Sequence, residues 1–108
     1  MVLAAALAQH PRVLLLDEPT TSLDLKHQFS IYRLLASLAA DGLLVLAATH
    51  DLNLAAAYSD RVIVLDRGRV AADGTPTEAL RPETIREVFE VTARLDTSGP
   101  RPRLDYAD

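Results

Sequence analysis

The stretch VLLLDEPTTSLD, Val13 to Asp24, decides the fold that we expect of this chain. Its four apolar residues, Val13 to Leu16, are typical of a strand that is buried on both faces of a parallel sheet. Two adjacent carboxylates, Asp17 and Glu18, follow at once. Because neighbouring carboxylates repel each other, their position at a strand end points to a cation and a water as their partners.

The composition of the 108 residues argues against several classes of protein. There is no cysteine, so disulfides and thiolate metal sites are impossible. The net charge is −4 and the arginines are scattered, which argues against nucleic-acid binding as the main activity. Apolar runs such as Leu43 to Ala48 fall far below the roughly 18 residues that a membrane span needs. The 49% of hydrophobic residues predict one small domain with a core of Leu, Val and Ala.

The first part of the chain predicts a helix, a strand and a second helix. Val2 to Ala8 is expected to be the end of a helix rich in Ala and Leu, which Pro11 terminates. After the strand, the side chain of Asp24 can cap a helix from about Leu25 to Asp41, in which apolar residues recur at helical spacing. Gly42 then provides a suitable end for this helix.

The middle of the chain continues the alternation of strands and helices. Leu43 to Thr49 is a second predicted strand, Asp51 caps a short helix through Tyr58, and Val62 to Leu65 is a third strand. This order predicts an α/β fold with a parallel sheet and right-handed crossovers. A turn then leads to a short antiparallel strand, Val70 to Ala72.

The last third of the sequence predicts two small helices and a tail. The helices are expected at Pro76 to Leu80 and Pro82 to Phe89. From about residue 95 the sequence is polar and contains proline, which predicts a loose tail. We therefore expect one domain over residues 1–94 and a tail over residues 95–108.

Polar side chains follow two of the predicted strands. Asp17 and Glu18 end the first strand and His50 ends the second. In an open parallel sheet, ligands bind beyond the carboxyl ends of the strands. Asp17 suits a hard cation such as Mg²⁺, Glu18 can orient or deprotonate a water, and His50 can hydrogen-bond a phosphate. Taken singly, the carboxylates are typical of a solvated loop, and Asp24 is typical of a helix cap.

Together these motifs resemble a known family. VLLLDEPTTSLD, followed by LLVLAATHDLN and DRVIVLDRGRVAADGTP, resembles the second half of an ABC-transporter ATPase subunit. TSLDLKHQ and IREVFEV look more specifically like importers of iron-siderophore, haem or cobalamin. The resemblance implies that Asp17 holds the Mg²⁺ of MgATP through water, that Glu18 positions the attacking water, and that His50 contacts the γ-phosphate.

The resemblance also implies partners. Ser22, Leu23 and Asp24 match the D-loop, which lies at the interface between two ATPase subunits. The implied assembly is an ATPase dimer on transmembrane permease subunits, at the cytoplasmic face of the membrane, with no nucleic acid. Two alternatives remain: a non-catalytic module that pairs with an intact ABC ATPase, and a fragment of a DNA-repair ATPase. The hairpin DRVIVLDRGRV and the absence of long charged heptads favour the transporter.

One essential motif of such ATPases is missing. The sequence contains no G-x-x-x-x-G-K-[ST], the loop that cradles the phosphates, and its single lysine, Lys26, is in the wrong context. The expected fold is therefore a partial P-loop NTPase, a parallel sheet flanked by helices without the Walker A half. Alone it is not expected to hydrolyse ATP. In the family, the phosphate-loop strand lies between the strands expected at Leu43 to Thr49 and Val62 to Leu65, so we expect the sheet to be split there.

Overall fold

The computed structural model describes residues 2–6, 13–18 and 24–107. The strands are β1 Val2–Ala6, β2 Val13–Asp17, β3 Leu44–Thr49, β4 Arg61–Asp66, β5 Arg69–Gly74, β6 Thr92–Asp96 and β7 Arg103–Ala107. The helices are α1 Leu25–Ala40, α2 Leu52–Tyr58, α3 Pro76–Ala79 and α4 Pro82–Phe89. None of these helices is long and apolar enough to cross a membrane.

Five strands form the main sheet, in the order β2-β3-β1-β4-β5. β2 and β3 pair in parallel, as the sequence predicted, because α1 carries the chain back between them. β4 and β5 form the predicted antiparallel hairpin, and the two residues of its turn, Arg67 and Gly68, both have positive φ angles (53° and 77°). Such turns match the twist of a hairpin. The predicted α/β class is confirmed.

The prediction for the first residues is wrong: Val2–Ala6 is a strand and not the end of a helix. β1 pairs antiparallel with β3 on one side and with β4 on the other. Without it, these two strands would each leave a row of backbone N–H and C=O groups unpaired. Because unpaired buried backbone groups cost free energy, the pairing outweighs the helix propensity of an Ala-rich segment. The rest of that predicted segment, Leu7 and Ala8, and Pro11 lie outside the described residues.

The expected split in the sheet is therefore absent. β3 and β4 do not pair with each other, as predicted, but β1 occupies the place between them and makes the sheet continuous. β1 runs in the opposite direction to both neighbours. It closes the gap as a hydrogen-bonded strand, and it reaches that position from the amino-terminal part of the sequence.

Helix α1 begins as predicted and covers one end of the sheet. The Asp24 carboxylate accepts a hydrogen bond from the backbone N–H of His27 at 3.0 Å, which caps the helix. Leu35 and Ala39 of α1 pack on Val45 of β3 and form a small core cluster with their apolar neighbours. The amphipathic spacing of the apolar residues therefore places α1 against the sheet.

The main core lies between the sheet and the helices α2, α3 and α4. Its largest fully buried side chains come from β4 and from the segment around α3 and α4: Val62, Val64, Leu80 and Ile85. The Asp51 carboxylate caps α2 by accepting a hydrogen bond from Leu54 N–H at 3.0 Å. The predicted cap and the predicted helix are both present. The helix contributes Leu52, Ala55 and Ala56 to the main core.

The loose tail expected from residue 95 is wrong for the described residues. β6 and β7 pair as an antiparallel hairpin over Thr92–Asp96 and Arg103–Ala107. Leu104 is only 2% exposed and belongs to the main core. Nη2 of Arg103 lies 3.3 Å from Oδ2 of Asp96 across the hairpin. One buried leucine and the cross-strand ion pairs thus order a segment whose composition is polar.

Candidate functional site

The candidate site lies at the rim where the parallel strands β2 and β3 end. Asp17 is the last residue of β2 and pairs in register with Ala48 of β3. The backbone N–H of Glu18 donates to the carbonyl of Ala48 at 2.8 Å, so the contact between the two segments extends one residue beyond β2. His50 follows β3 directly. Parallel pairing therefore delivers polar residues from two separate segments to one edge, as the sequence predicted.

Glu18 and His50 are in direct contact. Nε2 of His50 lies 3.2 Å from Oε1 of Glu18, within hydrogen-bonding distance. The Glu18 side chain is about half as exposed as that of His50, at 32% against 69%. Glu18 also has a positive φ of 49°, a conformation that is costly for a residue with a Cβ and that is often found at functional sites. The carboxylate is thus held beside the imidazole, with Oε1 buried and the side chain as a whole about one third exposed.

A pocket of about 500 Å³ opens beside this pair. Glu18 and His50 line it together with Thr49, Asp51 and Tyr106. The Thr49 hydroxyl accepts a hydrogen bond from Asp51 N–H at 3.0 Å, which holds the turn around His50. The pocket has a size that suits a small ligand, and its walls are mostly polar.

Asp17 lies apart from this pocket. The Asp17 side chain is exposed. It lies on the opposite face of β2 from Leu14 and Leu16, which pack under α1. Among residues 2–6, 13–18 and 24–107, no three His, Asp or Glu residues come together as a metal site. Asp17 could hold a hard cation only as a single carboxylate, with water or ligand oxygens in the other positions. This is an arrangement that Mg²⁺ commonly adopts with phosphates.

Of the three residues that match the D-loop, the structure describes one. Ser22 and Leu23 lie outside the described residues. Asp24 is exposed, and its Oδ1 lies 2.6 Å from Nδ1 of His27. Hydrogen bonds from the backbone and then from the ring of His27 lower the pKa of the Asp24 carboxyl. Asp24 therefore stays ionised as the cap of α1, while its exposed surface leaves it available for a partner.

Sequence reasoning missed Tyr106, because it lies in the segment that we expected to be a loose tail. The ring reaches the pocket from β7, and burial, followed by the nearby Asp51 carboxylate, raises the pKa of the phenol. Asn53 holds this strand in place: its Nδ2 donates to Leu104 O at 3.1 Å, and its Oδ1 accepts from Leu104 N at 2.7 Å. Polar and apolar residues alternate from Arg103 to Tyr106, and this alternation was the signal in the sequence for a strand.

Comparison with known families and relatives places the chain in context. Residues 1–56 match the family model described as "AAA domain, putative AbiEii toxin, Type IV TA system". The hemin import ATP-binding protein HmuV of Rhodopseudomonas palustris (strain HaA2) is 48% identical over 91 residues, which is 82% of this chain and 35% of that protein. The protein of the same name from Nocardia farcinica (strain IFM 10152) is 52% identical over 90 residues, covering 83% of this chain and 31% of that protein. The chain thus spans about a third of the length of the curated relatives it matches.

A solved structure shares the fold. It is described as "An inward-facing conformation of a putative metal-chelate type ABC transporter", and it matches with a TM-score of 0.74 at 23% sequence identity. The match covers 90% of this chain and 40% of the other. At this identity, the similarity supports the α/β fold described above and nothing more specific.

Proposed function

Because the chain belongs to the AAA-domain family and is similar over most of its length to ABC ATP-binding subunits, we propose that it forms the γ-phosphate side of an ATP-hydrolysing site. The observation that carries this proposal is the contact between Glu18 and His50 at the strand rim. A carboxylate beside an imidazole at this rim can position a water and donate a hydrogen bond to a phosphate oxygen. Phosphoryl transfer depends mainly on such positioning and on charge stabilisation.

Each site residue has a proposed task. Glu18 accepts a hydrogen bond from the attacking water and directs its lone pair. Nε2 of His50 faces Glu18 in the free chain, and when a γ-phosphate is bound the same ring nitrogen turns to donate a hydrogen bond to it. Asp17 holds Mg²⁺ through water at the end of β2. When bound, Mg²⁺ neutralises negative charge on the phosphates.

The phosphate cradle must come from residues that this chain does not contain. No G-x-x-x-x-G-K-[ST] occurs in the sequence, and Lys26 lies in the exposed first turn of α1. The curated relatives are about three times as long as the matched region. We therefore expect the chain by itself to bind MgATP weakly, and to hydrolyse it only together with the missing residues.

The relatives' names also suggest a biological setting. They are called hemin import ATP-binding proteins, so we propose an importer of haem, or of a related iron-siderophore or cobalamin cargo. The proposed assembly pairs two ATPase subunits through Ser22, Leu23 and Asp24 and attaches them to permease subunits at the cytoplasmic face of the membrane. Asp24 is exposed at the start of α1, which is compatible with a contact there.

A chimaera tests the proposed roles. The matched third of the Nocardia farcinica relative is replaced by this chain, and steady-state ATP hydrolysis is measured. Glu18→Gln is expected to lower kcat by roughly 10² or more while MgATP stays bound, because the change keeps the shape and removes the carboxylate. Asp17→Asn should instead raise the Mg²⁺ concentration that is needed for half-maximal activity.

The control is Glu87→Gln, the same chemical change at an exposed position of α4. It should leave both kcat and Mg²⁺ dependence unchanged. If Glu18→Gln retains activity within about threefold of the unmodified chimaera, Glu18 is not the residue that positions the water. Isothermal titration of MgATP into the isolated chain is the second test, and micromolar affinity would contradict the need for a separate phosphate cradle.

A further inference from the structure

His50 lies in the short link between β3 and α2. β3 ends at Thr49 and α2 begins at Leu52, so His50 and Asp51 alone join the two elements. β3 is fixed by its pairing with β1 and β2. The direction in which the His50 side chain projects therefore depends on where α2 lies.

Helix α2 is too short to hold its own position. It has seven residues, which is about two turns, and isolated helices of this length are marginal in water. Its inner side is fixed by the main core, where Ala55 and Ala56 are fully buried. The carbonyl groups of the last turn of a helix have no partners within the helix and need them from outside.

Arg101 supplies these partners from the loop between β6 and β7. Its Nε donates to the carbonyl of Ala57 at 2.9 Å, and its Nη2 donates to the carbonyl of Ser59 at 2.5 Å. Ala57 lies in the last turn of α2 and Ser59 is its C-cap. Hydrogen bonds from a charged donor are stronger than neutral ones, and a cation is favourable at this end of a helix dipole.

The same hairpin also holds the beginning of α2. Asn53, in the first turn, makes both of its hydrogen bonds to the backbone of Leu104 in β7. Asn53 and Ala57 are four residues apart, which is about 6 Å along the helix axis. Two attachments at this separation fix the direction of the helix as well as its place. The hairpin further contributes Tyr106 to the pocket that His50 lines.

We propose that Arg101 is a positioning residue for His50 and acts through α2. By bonding the last carbonyls, it keeps α2 helical back to the Asp51 cap, and so it fixes the backbone from which the His50 ring reaches Glu18 at 3.2 Å. The consequence for catalysis rests on the proposed function, in which the same ring turns to the γ-phosphate. Without Arg101, a helix of two turns frays from its last turn, and the fraying reaches the His50 link.

The first test is nuclear magnetic resonance of the full chain without nucleotide, comparing Arg101→Gln with the unmodified protein. The amides of Ala55 and Ser59 bond within α2 and at its end, at 3.1 Å each, and they should exchange with solvent at least roughly tenfold faster in the variant. The ring resonances of His50 should shift. Those of His27, which lies on α1, should not, and the amides of β4 should keep their exchange rates.

The matched control is Arg94→Gln, the same change on the same hairpin. Nη2 of Arg94 pairs with Oδ2 of Asp105 inside the hairpin at 3.7 Å, so this variant should leave α2 and the His50 ring unchanged. Arg101→Lys keeps the charge but not the two-bond fork, so its effect should be intermediate, and it replaces Arg101→Gln if the latter unfolds. Equal acceleration of exchange in α2 and β4, or an unmoved His50 ring, would overturn the proposal.

The second test is ATP hydrolysis by the chimaera with the Nocardia farcinica relative. Arg101→Gln should lower kcat at least roughly fivefold and leave KM for ATP within about twofold, because a displaced His50 mainly affects the reacting phosphate. An unchanged kcat would overturn the proposal even if the exchange rates agree with it. Failure of the proposed function gives a different result: Glu18→Gln then keeps its activity, while the exchange rates and ring resonances still decide whether Arg101 positions His50.

Discussion

Replacing Asn53 by alanine should loosen the hairpin of β6 and β7 from the rest of the molecule. The Asn53 side chain satisfies both backbone groups of Leu104, with bonds of 3.1 and 2.7 Å. Leu104 is 2% exposed, so these groups have little access to water after the change. A buried group left without its partner costs about 1–3 kcal/mol. Because removal of the Asn53 side chain leaves room for a water that can replace one of the two bonds, we expect about 1–3 kcal/mol in all.

Urea unfolding followed by circular dichroism measures this loss. With a slope of about 1–3 kcal/mol per molar urea, the midpoint should fall by roughly 1 M. Asn53→Asp keeps an acceptor for Leu104 N–H and loses the donor to Leu104 O, so its midpoint should lie between those of the unmodified chain and Asn53→Ala. Ser37→Ala, at an exposed position of α1, is the control and should change little. A midpoint shift for Asn53→Ala no larger than that of Ser37→Ala would refute the anchoring role.

Two further predictions concern the hairpin of β4 and β5. Gly68→Ala should destabilise the protein by about 1–2 kcal/mol in urea unfolding, because φ is +77° at this position and a Cβ is strained there. The cost comes from the backbone alone, since no atom lies within 4 Å of the added Cβ, and an unchanged midpoint would contradict it. The hydrogen bonds from Arg61 lower the pKa of Asp73 below its ordinary value of 3.8, so the stability that this pair gives is present above pH 3.8 and is lost as the pH falls through the lowered value. Arg61→Met should reduce this acid sensitivity, and equal dependence of the unfolding midpoint on pH in both proteins would count against it.

The sequence predicted most elements of the fold because their signals are local. Apolar runs identified β2, β3 and β4, and the carboxylates of Asp24 and Asp51 marked the starts of α1 and α2. The strand Val2–Ala6 was missed because its conformation depends on pairing with β3 and β4, which lie far along the chain. An Ala-rich segment has no local pattern that reports such distant hydrogen bonds, and its propensity favours a helix.

The candidate site was predictable only in part, for a related reason. Motif spacing and the rule for parallel strands placed Glu18 and His50 at one rim, and the structure brings them to 3.2 Å. The roles of these residues and of Asp17 remain predictions. Tyr106 could not be placed from its polar surroundings, because its position depends on the pairing of β7 and on the anchor at Asn53.

The central position of β1 has a consequence for the time course of folding. Val2 pairs with Thr49 on one side and with Val64 on the other, so the middle strand of the sheet is closed only by contacts between distant parts of the sequence. The entropy of closing long loops must be lost before these contacts form, which makes such sheets slow to fold. During synthesis, β1 cannot complete its pairing until β4 has left the ribosome. Until then the edge of β1 that will pair with β4 is open to other chains, and the protein is exposed to aggregation during this interval.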